Sequence, residues 1–298
     1  MQITRLFIVL SSLFLSIELS AEAFVINDDE GRSVTFTKPA KRIISLSPHA
    51  TELLFAAGAT DQIIATVSFS DYPEQAKRIP RIGGHQKIDI ETIIKLNPDI
   101  IIAWKSGSQD GQIAKLKELG FKIYYSEPRR FKDIANNIIN LGKMLGTTVH
   151  ATETANKFLK KLNDLKIKYK DRSIVSVFYQ VWNEPLITIN KDHIITSIIE
   201  FCGGRNIYAD VASRAPRIGI ESILSANPDA IIIGVSETKT NWNKQWYKWQ
   251  GLDAVKNNHV FVVNADYMVR QGVRVLKGIE TVCDDLNLVR ASKKSAEN

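Results

Sequence analysis

"IETIIKLNPDIII" runs from Ile90 to Ile102, and "IESILSANPDAIII" runs from Ile220 to Ile233. Laid over each other at an offset of 130 residues, they share Ile, Glu, a hydroxyl residue, Ile, Asn-Pro-Asp and an aliphatic run. Each copy reads as a helix, an Asn-Pro stop and a strand. The residue before a proline is disfavoured in the α region, which ends the helix there. The unbroken aliphatic run that follows suits a parallel strand covered on both faces. A chain that writes this crossover twice is expected to fold as two similar α/β lobes.

The flanking sequence extends each copy. "FVINDDEGRSVTFTKPAKR" reads as an entry hairpin, closed by Pro39. "RIISLSPHATELLFAAGA" reads as strand (Ile43 to Leu46), turn (Ser47-Pro48) and a helix from Thr51 to Gly58. "QIIATVS", "IIIAW" and "FKIYYS" supply further strands, with "QIAKLKELG" as a helix between the last two. From Phe131 the pattern is helical for about 40 residues, interrupted only near Gly146-Thr147-Thr148. Its second part, His150 to Lys170, holds apolar residues at roughly helical spacing and no Gly or Pro, and predicts one long, stiff connecting helix. A second series follows: strand "SIVSVFYQVW", helix "ITSIIEFCGG", the second repeat, strand "AIIIGV", a helix around "WNKQWYKWQGL" and strand "VFVVNAD". Alternating strands and helices imply two parallel sheets. The expected division is a leader over 1–23, an N-terminal lobe over 24–146, a connecting helix over 147–171 and a C-terminal lobe over 172–298.

The 298 residues are 44% hydrophobic and 24% charged, without low-complexity segments, as in a globular protein. The start is different. Arg5, an apolar run from Leu6 to Ile17 and Ala21-Glu22-Ala23 form the three parts of a secretory signal peptide. The run is too short for a spanning helix, which needs about 20 apolar residues. No cysteine follows the cleavage pattern, so lipid attachment there is not expected. Losing Arg5, Glu18 and Glu22 moves the formal charge from +7 to +8. Outside the cytosol that charge favours anionic small molecules or solubility over nucleic acid. Cys202 and Cys283 form no C-x-x-C pair, and one structural disulfide in the C-terminal half is the simple reading.

Catalytic signatures are absent from the sequence: no G-x-S-x-G, H-E-x-x-H, Walker-type or dinucleotide-binding pattern occurs. His49, His85, His150, His193 and His259 do not pair at metal-ligand spacing. In open parallel sheets, ligands sit beyond the carboxyl ends of the strands. Phe69 and Tyr72, His85, and Trp104 fall there in the first lobe; Tyr179, Trp182, Tyr267, Arg270 and Arg274 fall there in the second. Opposed aromatic faces suit a large flat ligand, and the arginines suit its anionic substituents. Tyr72 and Tyr179 also fit the edge of a core, whereas His85, flanked by Gly83 and Gly84, reads as an exposed loop residue. Trp242, Trp246 and Trp249 at helical spacing read as a packing stripe. Glu91 and Glu221 each sit in a first helical turn, where the dipole favours a carboxylate. Two at equivalent positions would place one charge per lobe on the same rim, a natural way to dock on a partner with two positive patches.

"RIISLSPHATELLFAAGA", "SDYPEQAKRIPRIGG", "IETIIKLNPDIIIAW" and "CGGRNIY" resemble the substrate-binding proteins of ABC importers for vitamin B12, iron siderophores and haem, and most of all the cobalamin-binding branch. The resemblance covers nearly the whole chain after the leader. It implies two Rossmann-like lobes on one rigid helix, with ligand captured between them in the periplasm and no chemistry performed. It implies that Glu91 and Glu221 pair with arginines on a membrane permease dimer, which carries ATPase subunits. It also implies a Cys202–Cys283 disulfide, a monomer and no cofactor. Trp104 and the "SDYP" loop match the cobalamin branch, with Phe69 in place of its tyrosine. His85 and Ala215 stand where that branch carries tryptophans, six residues ahead of each glutamate. The expected ligand is cobalamin or another corrinoid. Haem or a ferric siderophore is the alternative, with His85 a possible contact to a ligand-borne metal. A secreted enzyme acting on such a ligand is the reading from another class.

Overall fold

A computed structural model describes residues 23–170, 172–236 and 241–297. The expected leader, apart from Ala23, lies outside the described residues. The N-terminal half runs through β1 (Phe24–Asn27), β2 (Ser33–Phe36), β3 (Ile43–Ser45), α1 (Pro48–Ala56), β4 (Ile63–Thr66), α2 (Ile90–Leu96), β5 (Ile100–Ala103), α3 (Asp110–Glu118), β6 (Ile123–Tyr125) and α4 (Phe131–Leu145). The helix α5 (Thr148–Lys168) leads to β7 (Val175–Gln180), α6 (Ile194–Phe201), β8 (Gly204–Asn206), α7 (Ile220–Ala226) and β9 (Ala230–Val235). The chain ends with α8 (Asp253–Lys256), β10 (Val260–Asn264), α9 (Ala265–Val269) and α10 (Val275–Glu297).

Two four-stranded sheets, ordered β4-β3-β5-β6 and β10-β9-β7-β8, are parallel throughout. Read in chain order within each lobe, both have the sequence second-first-third-fourth. The duplication legible in one crossover is therefore a duplication of the whole sheet. It extends to backbone detail. Asn97 and Asn227 end α2 and α7 in the left-handed region, at φ 42° and 39°, a conformation that asparagine tolerates better than most residues. The aspartate of each Asn-Pro-Asp then ties its strand to the first strand of the lobe. Asp99 Oδ2 accepts from the Lys41 and Arg42 amides at 2.7 and 2.9 Å, and Asp229 Oδ2 accepts from the Ser176 amide at 2.8 Å. All three residues of the motif have local work, which is why all three repeat.

One apolar cluster joins the lobes. It runs from Ile43, Leu53 and Ile138 through Ala155, Phe158 and Leu165 of α5 to Val175, Ile198 and Val282. The outer sheet faces close over separate clusters, around Ile44, Ile101 and Leu116 in one lobe and Phe178, Ile231 and Trp246 in the other. Gly142 lets α4 and α5 meet closely, since a Cβ there would lie 2.1 Å from the Ala151 Cβ. The two lobes and the long helix between them are thus one packed body.

Three local expectations change. α1 begins at Pro48, because Ser47 Oγ accepts from the Ala50 amide and caps the helix, while proline is tolerated in the first turn. The segment Trp242–Lys248 is a 3-10 helix and not an α-helix, yet its tryptophans still pack as the sequence suggests: Trp246 is buried, and Trp242 and Trp249 lie partly buried against the same cluster. α10 and the short strand β8 were not expected from the sequence. α10 buries Val275, Ile279, Val282, Cys283, Leu286 and Val289, and a Cys202–Cys283 disulfide anchors it to the end of α6.

Candidate ligand-binding cleft

The strand order places the loops after β3 and β5 beside the crevice where the first sheet reverses direction, and those after β7 and β9 beside its counterpart. α2 and α7 run antiparallel to the strands they precede, so their N-termini lie on this same rim. Glu91 and Glu221 occupy those first turns and are both exposed, as the sequence suggests.

In the first lobe three loops converge. Phe69 is 78% exposed with φ 66°, a left-handed conformation that is rare for a bulky residue and clusters at functional positions. A chain of buried hydroxyls fixes the loop beneath it: Ser45, Thr51, Thr66 and Ser70 link Oγ to Oγ at 2.8–2.9 Å. Arg81 clamps the same loop by donating to the Ser70 carbonyl at 2.6 Å. The His85 loop leans on it through the Ser68 amide, which donates to the Gly83 carbonyl at 2.8 Å. Trp104, half-buried, completes the group. Its ring lies over Gly107, where a Cβ would sit 1.8 Å from the indole, and His49 meets its edge at 5.4 Å. His49 is itself buried with Nε2 at 3.2 Å from the Ser126 carbonyl, and burial pushes its pKa down to about 4, so the ring is neutral at pH 7. The indole N–H of Trp104 is buried and finds no acceptor among the described residues.

The second lobe offers a different set. Trp182 is 53% exposed, stands edge-on to Trp242, and donates from Nε1 to the Glu184 carbonyl at 3.0 Å. Tyr267 is half-buried, with Lys277 over its ring at 5.4 Å. Tyr179 does not reach the cleft. It is 1% exposed in the inter-lobe core, with its hydroxyl in a space that exists because residue 234 is glycine. Alternation in β7 turns this side chain inward, the core-edge alternative of the sequence reading.

Arg270 and Arg274 are also placed differently from the expectation. Arg274 donates from Nε and Nη2 to Glu52 at 3.0 and 2.6 Å, and its guanidinium lies 4.2 Å from the centre of the Tyr72 ring. Arg270 donates to Glu52 at 3.2 Å and Asp71 at 2.6 Å, and pairs with Asp266 at 3.1 Å. Burial works against the charges, but Asp71 stays below the usual carboxylate range because Arg270 outweighs that cost. These arginines staple the second lobe to the first instead of waiting for a ligand anion. At the other edge of the sheets Arg214 reaches Glu127 at 3.7 Å. Glu127, buried, also accepts from the Ser106 amide and hydroxyl, both at 2.9 Å. The cleft is therefore closed by charge at both ends, with aromatic faces between. Sequence reasoning missed Glu52, Asp71, Glu127, Arg214 and His49, since each takes its role from a partner far away along the chain. An apolar crevice of about 430 Å³, lined by Phe55, Phe158, Val273 and Leu276, lies against α5 and is bordered by Glu52 and Tyr72 of the arginine staple.

The family described as periplasmic binding protein is matched over residues 43–267. The chain belongs to that family. It is 39% identical over 253 residues to the vitamin B12-binding protein of Vibrio cholerae, covering 85% of this chain and 91% of that one. The crystal structure of the periplasmic vitamin B12-binding protein of Vibrio cholerae matches with a TM-score of 0.80, covering 85% and 98% of the two chains. A periplasmic haem-binding protein, solved with two haems, shares the fold at a TM-score of 0.75 and 17% identity, covering 86% and 100%. Members of this family have the two-lobed fold seen here. Among the described residues no helix is long and apolar enough to cross a membrane.

Proposed function

We propose that this protein is the periplasmic receptor of an ABC importer, capturing cobalamin or a related corrinoid between its lobes and delivering it to the permease without altering it. The observation that carries this reading is the joint one of likeness and site. The chain is 39% identical to a vitamin B12-binding protein over most of its length, and aromatic residues stand free on both rims of its cleft. Phe69, His85 and Trp104 contact the ligand from one lobe, Trp182 and Tyr267 from the other, and Tyr72 borders the site. The protein acts as an exported monomer, freed of its leader. Glu91 and Glu221, exposed at equivalent helix starts, dock on the two halves of the permease above its ATPase subunits.

Calorimetry against cyanocobalamin, cobinamide, haemin and a panel of ferric siderophores tests the ligand. One unmodified corrinoid per chain is the expected result, and no binding to either cyanocobalamin or cobinamide sinks the reading. Turnover of a bound corrinoid would instead favour an enzyme. The free imidazole of His85 favours haem as the second reading, and preferential binding of haemin would select it. Charge reversal of Glu91 and Glu221 together is expected to abolish stimulation of the permease ATPase while sparing ligand affinity.

A further inference from the structure

We propose that His85 supplies an axial ligand to the cobalt of the bound corrinoid, its imidazole nitrogen replacing an exchangeable water. The inference rests on the corrinoid reading of the cleft. Three of the five histidines hold a ring hydrogen bond within the fold. His49 meets the Ser126 carbonyl, His193 accepts from the Ile195 amide, His259 lies 3.1 Å from the Asp229 carbonyl, and His150 packs against Gly58. His85 and His150 are both exposed with neither ring nitrogen hydrogen-bonded among the described residues, but His150 lies on α5 and only His85 sits on a strand-end loop. Nothing in the packing of the lobe requires an imidazole there.

The loop that carries it is nevertheless built to hold one position. Gly83 adopts φ 118°, and a Cβ there would lie 2.2 Å from the Lys87 carbonyl. The Gly84 amide donates to that same carbonyl at 2.8 Å, and Gly83 bridges Ile88. Gln109 Nε2 donates to the His85 carbonyl at 3.5 Å, while Gln112 accepts from the Ile88 amide and donates to the Gln86 carbonyl at 2.8 and 3.0 Å. The loop is thus pinned to the start of α3, and His85 lines one crevice with Gly107, over which the Trp104 ring lies. A rigid mount, an aromatic platform and a free nitrogen lone pair are the parts of a metal-ligand site. Among the described residues, however, no group of three or more His, Cys, Asp or Glu could hold a metal ion. The metal must arrive already chelated in a plane, with an axial position open. A corrinoid bearing water on its upper face meets that requirement. The step is a ligand exchange: the imidazole nitrogen donates its lone pair to form the cobalt–nitrogen bond, the cobalt–oxygen bond breaks, and water leaves with its own pair. Cobalt does not change oxidation state.

The test compares aquacobalamin, whose water exchanges, with cyanocobalamin, whose cyanide blocks the position, on the purified protein and its His85→Ala and His85→Gln variants. In the unaltered protein, aquacobalamin is expected to show the red shift of the sharp near-ultraviolet corrin band that marks nitrogen in place of water. Both variants lose the shift, and their loss of affinity is about tenfold greater for aquacobalamin than for cyanocobalamin. An unshifted spectrum in the unaltered protein, or a shift that survives in both variants, overturns the assignment. If neither cyanocobalamin nor cobinamide binds, the corrinoid reading fails and the cobalt ligand with it. A His85-dependent shift seen with haemin alone would transfer the role to iron and overturn it equally.

Discussion

The two lobes share a skeleton and divide the chemistry. Both have the same strand order, the same asparagine-ended helix before the third strand, and a histidine near the start of the first helix, held neutral with its pKa near 4. At their mutual boundary they are opposites. The first lobe presents Glu52, Asp71 and Glu127; the second presents Arg214, Arg270 and Arg274, with Asp266 as the exception. Each bridge joins the loop after one lobe's second strand to that after the other lobe's fourth, or braces that join. The placement follows the strand order that the two sheets share. A duplicated frame thus fixes where the lobes can meet, and charge divergence between the copies decides that they do. The lobes also differ in how each holds itself together. The first uses a buried hydroxyl chain beneath its Phe69 loop, and the second uses a disulfide.

That last difference can be broken most strongly. Replacing Cys202 and Cys283 by serine reopens a loop spanning 81 residues. The chain-entropy estimate puts the loss at about 4 kcal/mol. Denaturant unfolding followed by tryptophan fluorescence checks it, and the second lobe is expected to melt ahead of the first. One transition shifted as a whole would show instead that the common core through α5 couples the lobes completely.

Glu52→Ala tests the divided charge directly. It removes three hydrogen bonds and leaves Arg274, side chain 10% exposed, with Asp266 only at 4.0 Å. A buried cation stripped of its partner costs about 3 kcal/mol. The loss should be read together with small-angle scattering, because lobes released from the staple should also open. A stable, unchanged envelope would mean that α5 alone sets the lobe orientation.

The neutral histidines give a pH signature. His49 has its pKa lowered from 6.5 to about 4 in the folded protein, so below pH 6.5 the unfolded chain binds the proton that the folded one refuses. The contribution of this residue is full above pH 6.5 and is lost as pH falls towards 4, by about 2.5 kcal/mol at pH 4.5. His49→Gln should flatten that part of the profile measured by thermal unfolding. A slope that persists undiminished in the variant would assign it to His193.

These contrasts also show what a sequence can carry. The repeat at Ile90 and Ile220, the aliphatic strands and the long helix are local patterns, and they were legible because periodicity and Asn-Pro punctuation act within a few residues. The exposed first-turn positions of Glu91 and Glu221 were legible for the same reason, as copies. The exposed positions of Phe69 and Trp182 and the half-buried Trp104 beside the strand ends were legible from strand order alone. Tyr179 sits at the end of a strand too, but its side chain points inward by a single step of alternation, and the sequence left both directions open. Arg270 and Arg274 look like ligand cations until Glu52, more than 200 residues earlier, is seen to occupy them. Long-range ion pairing leaves no mark in a single sequence.

The two ends of the cleft should differ in strength, and Arg214→Gln measures the weaker. The Glu52 end is dry, with several short hydrogen bonds. The Glu127 end is wetter: the Arg214 side chain is 37% exposed and stays 3.7 Å away, outside hydrogen-bond distance. Glu127 keeps both Ser106 donors when the arginine is lost, so no buried carboxylate is orphaned. The expected change in stability is therefore about 1 kcal/mol or less, diminishing further in high salt. Ligand exchange is the more sensitive readout. If this end is the gate, release of a bound corrinoid in stopped flow should quicken, while Glu52→Ala, acting at the far end, also alters the lobe angle. A stability loss as large as that of Glu52→Ala would mean that both ends are permanent staples, and that ligand must enter without either one opening.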